Sequence, residues 1–235
     1  MKNKLLILIV CVIGAVTDVW GQSRSKRVKQ PREVIEAYRV CSDFQRLLAE
    51  NLDFDRAFEA TFVKDPARRR EIAIAEADHG DGDLAQVETA IVVDIYKAQS
   101  QLLILVLPLL FVDREDAQTE LLPPRFEQTI KRKPPNDPQL QAYAAQLKRD
   151  VTDLRAHVEK LATTNTEVAN NLAQYKNFLL KPLVPPNRIV KPLTAYSKGS
   201  VLPVNAKYYQ IEDCAMIRED GQMRLIGYTF FKMRG

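Results

Sequence analysis

The sequence predicts a mainly α-helical protein: a multi-helix bundle with one long heptad-patterned helix and a small C-terminal β-hairpin module. Three observations support this fold class. Apolar residues recur every three or four positions between residues 34 and 109, with capping residues between the segments. A heptad pattern then runs from residue 140 to residue 179. Near the C-terminus, Asp220–Gly221 separates two β-prone segments and has the composition of a two-residue hairpin turn.

The first 21 residues have the features of a secretory signal peptide. Lys2 and Lys4 precede an apolar run at residues 5–16, which is shorter than the roughly 20 residues that a bilayer span needs. Small residues at positions 19 and 21 predict cleavage before Gln22. We therefore expect an exported protein, periplasmic or extracellular, with no membrane span after signal removal.

The charge balance argues against a nucleic-acid partner. Signal removal takes two of the 34 basic and one of the 30 acidic side chains, which leaves a net charge of +3. The basic clusters at 24–29, 68–70 and 131–133 are short and typical of solvated surface. Residues 181–235 carry a local +5 and residues 22–180 carry −2, which indicates either attraction between the two parts or an acidic partner.

Four helices are predicted between residues 31 and 112. Pro31 suits the first turn of the first helix, whose apolar stripe includes Cys41. Asp53 or Asp55 can cap the second helix, and the third begins at Asp65–Pro66. In the fourth, Pro108 is expected to loosen or end the helix. Its all-apolar stretch, 102–112, is only eleven residues long and predicts a buried helix end rather than a membrane span.

Residues 76–88, EADHGDGDLAQVE, are the one stretch that suggests a metal site. The candidate ligands are Asp78, His79, Asp81 and Asp83. No frame supplies the alternating oxygen ligands, sixth glycine and twelfth glutamate of a helix-loop-helix calcium site, and zinc usually needs more histidines or cysteines. We favour a helix break, in which Gly80 ends one helix and Asp83 caps the next. The alternative is a weak calcium or magnesium contact; no other cofactor is predicted.

The heptad pattern is the clearest signal in the chain. One set of seam positions is Leu140, Leu147, Leu154, Leu161, Val168 and Tyr175, and the other is Ala144, Val151, Val158, Asn165, Leu172 and Leu179. No glycine or proline lies between residues 139 and 180, so the pattern predicts one helix of about 60 Å at about 1.5 Å per residue. Asn165 is the one polar residue on the seam. It either fixes a pairing register, or marks a bend or an exposed edge of the seam.

Two packings of this helix are open. The favoured one is an antiparallel bundle within one chain, in which the seam packs against the apolar helix at 84–110. The other is a dimer formed through the long helix. His157 lies beside the seam and is interpreted as a surface residue.

The composition changes at Lys181, where prolines interrupt the helical pattern. We therefore divide the mature chain into a helical region, 22–181, and a small β module, 182–235. Folding about Asp220–Gly221 predicts pairs on two faces: Ile217–Arg224, Ala215–Ile226 and Ile211–Phe230 on one, Met216–Leu225 and Cys214–Gly227 on the other. A hairpin alone is marginal in water, so residues 188–193 or 200–204 are expected to supply a third strand.

Two cysteines remain after signal removal, Cys41 and Cys214. An exported chain permits a disulfide between them, and it would close a loop of more than 170 residues, worth about 5 kcal/mol in the loop-entropy model. The sequence does not show whether the two residues meet.

No catalytic constellation is recognised: no glycine-flanked serine elbow, no phosphate-binding glycine loop and no HExxH pair. The predicted role is non-enzymatic, structural or binding, with a helical scaffold that presents the β module to an unidentified protein or cell-envelope partner. The predicted contact surface is basic and aromatic, and its aromatic residues are Tyr208, Tyr209, Tyr228, Phe230 and Phe231. The alternative for these aromatic residues is the core of the β module itself, which some of them must form. One alternative is a metal-dependent hydrolase with its site near residues 78–83, and another is a helical protein associated with a membrane surface.

Overall fold

A computed structural model describes residues 31–76, 87–110, 121–131, 139–180, 208–211 and 213–228. These residues form a mainly helical protein with a small antiparallel sheet at the C-terminal end, as the sequence predicts. The helices are α1 Arg32–Asn51, α2 Phe54–Thr61, α3 Pro66–Glu76, α4 Thr89–Leu110, α5 Pro124–Lys131, α6 Leu140–Thr164 and α7 Thr166–Leu179. The strands are β1 Tyr208–Ile211, β2 Cys214–Glu219 and β3 Gln222–Tyr228, in the order β1-β2-β3. The predicted signal peptide, 1–21, lies outside the described residues.

The first three helices begin where their capping residues predict. Pro31 precedes α1 with an extended backbone, and Asp53, rather than Asp55, caps α2 by accepting a hydrogen bond from Arg56 N at 3.1 Å. Asp65 does the same for α3, accepting from Arg68 N at 2.8 Å. Because Leu52 adopts a left-handed conformation (φ 49°), α1 ends there and the chain turns into α2.

Helix α4 is the most apolar element. Pro108 lies within its last turn, so the proline does not end the helix early. Within the described residues, Thr89–Leu109 is the one helical stretch long and apolar enough to cross a membrane, with a mean hydropathy of 1.6. Core helices of soluble proteins also have this length and composition, and 67% of the most apolar window is buried among the other elements.

The predicted continuous helix over 139–180 is wrong. It is divided into α6 and α7 at Asn165, whose backbone is extended (φ −127°, ψ 109°). The Asn165 side chain accepts hydrogen bonds from Glu167 N at 3.0 Å and Val168 N at 3.2 Å, so it caps the second helix. A short amide side chain can replace the helical hydrogen bonds of its neighbours in this way, and here it does so in the middle of an otherwise regular heptad pattern.

The seam of the heptad pattern packs within one chain. Helix α6 lies mainly against α4, and α7 contacts α1 and α4. The fully buried seam residues include Leu140, Leu147, Leu154, Val158, Val168 and Leu179. Helix α5 packs on α6, and Thr129 Oγ1 donates a hydrogen bond to Asp150 Oδ2 at 3.0 Å.

The hairpin register is correct near the turn and wrong beyond it. Ile217 pairs with Arg224 and Met216 with Leu225, as predicted. The register then shifts, because Ile226 forms a bulge on β3. Two further pairs therefore replace the predicted ones: Ala215 with Gly227 instead of Ile226, and Cys214 with Tyr228 instead of Gly227.

The third strand also differs from the prediction. It is β1, whose Ile211 pairs with Cys214, so the predicted pair Ile211–Phe230 is wrong. The chain turns at Asp213 instead of continuing as one strand, which places β1 on the other side of β2. Residues 188–193 and 200–204, the predicted sources of a third strand, lie outside the described residues. The buried residues of the sheet and of the helices form one continuous core.

Candidate functional site

The sheet is attached to α1 by a disulfide between Cys41 and Cys214. The two Cα atoms are 5.9 Å apart, the residues are separated by 173 positions, and both side chains are fully buried. Cys41 lies on the apolar side of α1, and Cys214 begins β2. In the loop-entropy model a crosslink of this span stabilises the folded state by about 5 kcal/mol. The sequence did not show whether these two cysteines meet, and the structure brings them together at the centre of the contact between α1 and the sheet.

Three side-chain hydrogen bonds lie along the same contact. Tyr209 Oη donates to Glu33 Oε2 at 2.5 Å, and Gln45 Nε2 donates to Tyr228 Oη at 3.4 Å. A third bond is an ion pair, in which Arg218 Nη2 donates to Glu36 Oε2 at 2.6 Å. The bonds therefore connect α1 to all three strands.

Two of these groups have shifted pKa values. Burial, together with the hydrogen bond to Glu33, raises the pKa of the Tyr209 phenol to about 12. The hydrogen bond from Arg218 lowers the pKa of the Glu36 carboxyl. Over the ordinary pH range Tyr209 is therefore neutral and can donate to Glu33, and Glu36 is charged and can pair with Arg218.

The hairpin end of the sheet is held against the start of α3 by Glu219. Its carboxylate accepts hydrogen bonds from Lys64 N at 2.6 Å and Asp65 N at 3.2 Å, and Arg68 Nη1 lies 3.5 Å away. Only 8% of Glu219 is exposed. A carboxylate among the free N–H groups at a helix start is electrostatically favourable. Glu219 therefore fills the position where a helix N-terminus could otherwise hold an external anion.

The aromatic part of the predicted contact surface is wrong where the structure describes it. Tyr209 is 2% exposed and Tyr228 is 9% exposed, and the Tyr228 ring lies 4.7 Å from that of Phe44 in α1. The bulge at Ile226 explains this position, because it turns Tyr228 to the same side as Leu225 and into the core. The side chain of Tyr208 and residues Phe230 and Phe231 lie outside the described part of the chain.

The exposed positions of the sheet are polar. We call Gln210, Arg218, Asp220 and Gln222 the sheet rim. Arg224 lies beside it, half-buried, and donates to Ala60 O at 3.0 Å and to Gln222 Oε1 at 2.6 Å. The rim carries a carboxylate, two amides and the guanidinium that pairs with Glu36, a composition suited to hydrogen bonds with another macromolecule.

A second group of charges surrounds Phe58 on α2. Arg69 makes a bidentate ion pair with Glu59, at 3.1 and 3.0 Å, and its guanidinium lies 4.9 Å from the Phe58 ring centre. Lys97 of α4 contacts Glu59 Oε1 at 3.0 Å and also pairs with Asp55. Burial opposes the charge of Glu59, but the hydrogen bonds from Arg69 and Lys97 outweigh it and lower the pKa of that carboxyl. The group joins α2, α3 and α4, and each of its charged side chains pairs with one of opposite charge.

The proposed metal ligands Asp78, His79, Asp81 and Asp83 lie outside the described residues. Within the described ranges, no group of three or more His, Cys, Asp or Glu side chains could hold a metal ion. His157 Nε2 lies 2.9 Å from Leu121 O, and because a carbonyl only accepts, this nitrogen carries the proton.

Sequence reasoning missed the residues that hold the helix corners. Gln101 and Arg155 both donate to Leu52 O, at 2.7 and 3.1 Å, where α1 turns into α2. Glu219 is a further example. Each is a polar residue in a regular helix or strand, and no local pattern indicates a partner that lies 47 or more positions away.

Comparison with known proteins identifies no matching family, no similar curated protein and no similar solved structure.

Proposed function

We propose that this is an exported, non-enzymatic binding protein, in which a disulfide-stapled helical body holds the C-terminal sheet rigid and the sheet rim contacts a macromolecular partner. The single observation that carries the proposal is the Cys41–Cys214 disulfide. Such crosslinks persist in oxidising compartments and are rare in the cytosol, which agrees with the signal peptide that residues 1–21 predict.

The position of the disulfide supports a presenting role for the sheet. It joins α1 to the first residue of β2, and the contacts of Tyr209, Arg218 and Tyr228 with α1 lie around it. A surface held in this way loses little conformational entropy when it binds, because its backbone is already ordered. The rim is therefore better suited to recognition than a free hairpin would be.

The composition of the rim favours an acidic partner. Arg218 is exposed and paired with Glu36, Arg224 lies on the opposite face of the hairpin, and residues 181–235 carry a local charge of +5. Positive charges near an interface attract and orient acidic surfaces over about 10 Å at moderate salt. A partner with exposed carboxylates would meet Arg224, and the amides of Gln210 and Gln222, which lie on the same face of the sheet, would supply uncharged hydrogen bonds.

The test uses paired charge substitutions at exposed positions. Gln210→Glu with Gln222→Glu adds two negative charges to the rim, and both side chains are exposed, so the fold should tolerate them. Gln141→Glu with Gln174→Glu adds the same charge on exposed positions of α6 and α7 and is the matched control. Crosslinking and affinity capture from the exporting cell should recover a partner with the wild type and the control. At least tenfold less should be recovered with the rim variant.

Two results would argue against the proposal. Equal capture by the rim variant and the control would remove the sheet rim as the contact surface. Free thiols on Cys41 and Cys214 in protein purified from its native compartment, measured by alkylation and mass spectrometry, would remove the argument for export. Deletion of 182–235 is not an adequate test, because β1, β2 and β3 share their core with α1.

A further inference from the structure

Helix α7, all of whose side chains the structure describes, presents an uncharged side to solvent. Its inner side packs on the core, where Val168 and Leu179 are fully buried. None of its exposed positions is charged. We call five of them the outer α7 face: Thr166, Asn170, Ala173, Asn177 and Leu180. The other two are Gln174 and Phe178. A solvated helix face normally carries charged side chains, as the exposed side of α6 does, whereas depletion of charge marks the centre of protein interfaces.

The outer α7 face has the geometry of a helix–helix seam. Its members follow one another at intervals of four, three, four and three residues, which aligns them along one side of the helix. With 14 residues, α7 is about 21 Å long at about 1.5 Å per residue. Two exposed apolar side chains lie at its C-terminal end, since Phe178 is 63% exposed and Leu180 is 52% exposed. Among the described residues, Ile35 is the only other large apolar side chain that is exposed. A second seam with an apolar end therefore faces away from the core.

The chemistry of this face matches a second copy of itself. Amides and hydroxyls both donate and accept hydrogen bonds, so Asn170, Asn177 and Thr166 can pair with identical groups. A face with charge of one sign would repel its own copy, and this face has none. Asparagine on a helix seam also specifies register and the number of helices. Two-fold symmetric dimers, the commonest assembly of soluble proteins, bring the same surface of both copies together.

The sizes of the side chains favour an antiparallel arrangement. The N-terminal half of α7 carries the small side chains of Thr166 and Ala169, and the C-terminal end carries Phe178 and Leu180. Antiparallel packing places the large end of each helix over the small residues of the other, and such large-to-small contacts fill the space between two elements. A parallel pair would set the two large ends against each other and leave the small ends loosely packed.

We propose that the outer α7 face is the contact of a two-fold symmetric, antiparallel dimer of this chain, in which Asn170 faces Asn177 of the partner subunit. A contact of about 21 Å is small, so the dimer belongs to the weak class of interfaces and forms in proportion to concentration. The dimer carries two sheet rims and would hold a partner with repeated sites through both. Its formation does not depend on the rim, and its test needs no partner.

Sedimentation velocity of the mature, disulfide-intact protein tests the proposal, from about 1 µM to about 1 mM, which brackets the dissociation constants of weak interfaces. The weight-average mass of the wild type should rise toward twice that of the monomer. Asn170→Lys with Asn177→Lys should remain monomeric, because the altered face repels its own copy. Gln141→Lys with Thr152→Lys adds the same charge at exposed positions of α6 and should dimerise like the wild type.

A mixing experiment tests whether the face meets itself. Asn170→Glu with Asn177→Glu should also be monomeric, and an equimolar mixture of the lysine and glutamate variants should dimerise. A wild type that stays monomeric overturns the proposal, as does a lysine variant that associates like its control or a mixture that stays monomeric. Circular dichroism checks that each variant is folded. If the lysine variant does not fold, the glutamate variant is compared with Gln141→Glu and Thr152→Glu, and equal association then overturns the proposal.

Cysteine pairs test the direction of the two helices. Asn170→Cys and Asn177→Cys each add one thiol, and the native Cys41 and Cys214 are consumed by their disulfide. In the antiparallel dimer, a mixture of the two variants should form the mixed disulfide several-fold faster than either variant crosslinks to itself. Faster crosslinking of each variant to itself indicates parallel helices and overturns the antiparallel dimer.

Discussion

The side chain of Gln101 on α4 donates a hydrogen bond to the backbone oxygen of Leu52, at 2.7 Å, where α1 turns into α2. Its Oε1 accepts from Phe54 N at 2.8 Å, so one buried amide satisfies both sides of the corner. Leu52 N still donates to Leu48 O at 2.7 Å, but the positive φ of Leu52 turns the chain, so Leu52 O takes its partner from another element.

Gln101→Met keeps the volume of this side chain and removes both hydrogen bonds. We expect a loss of about 2–3 kcal/mol in the free energy of unfolding, because the variant removes the acceptor that Gln101 Oε1 offers to the buried Phe54 N and the donor that Gln101 Nε2 offers to Leu52 O. Arg155 still donates to Leu52 O, so the carbonyl is not orphaned. Urea unfolding followed by circular dichroism measures the change. Gln141→Met, at an exposed position of α6, should change stability by less than about 0.5 kcal/mol, and an equal loss in both variants would contradict the structural role of Gln101.

Removing the disulfide tests the contact between α1 and the sheet. The double variant Cys41→Ala with Cys214→Ala should lose up to about 5 kcal/mol, since the crosslink closes a loop of 173 positions in the unfolded chain. Urea midpoints of the wild type and the double variant give the difference. Because both sulfurs are buried, the native protein should also resist reduction until it unfolds. Rapid reduction under native conditions would show that the sheet separates from α1 easily.

The hairpin turn offers a test that involves the backbone alone. Gly221 has φ 78°, and nothing lies within 4 Å of the position that a Cβ would take. Gly221→Ala should therefore cost roughly 1–2 kcal/mol through the left-handed conformation and nothing through a clash. Asp220→Asn is the matched control, because asparagine tolerates the φ of 47° found at that position. Thermal unfolding of the two variants should separate them, and similar midpoints would mean that the turn rearranges.

The charge group around Phe58 predicts a pH dependence. The pKa of Glu59 is lowered in the folded state, so its contribution to stability is present above the unfolded pKa and is lost as the pH falls through the folded value. Glu59→Gln should lower stability at pH 7 by less than about 1 kcal/mol, because the Glu59 side chain is 45% exposed and solvent screens its ion pairs. The deficit should disappear under acid conditions. Urea titrations from pH 7 to pH 3 measure it, with the exposed Glu88→Gln as the control.

The local signals in the sequence were sufficient for most element boundaries. Asp53 and Asp65 cap the helices that follow them, and Asp220–Gly221 forms the hairpin turn, because each of these effects acts within three or four residues. The same local reasoning left Asn165 open between a pairing register and a bend, and it failed at Ile226. A seam asparagine can fit a continuous helix or cap a new one, and a bulge changes the register without any mark in the alternating pattern.

The sequence by itself determined the helical class, the apolar stripes, the turn residues and the expectation of export, because periodicity, capping and composition are properties of neighbouring residues. Only the tertiary structure decided that Cys41 meets Cys214, that Tyr228 faces Phe44, and that the heptad helix bends onto α1. These contacts join residues far apart in the chain. Their partners are selected by which buried polar and apolar groups can be satisfied together, and no single segment contains that information.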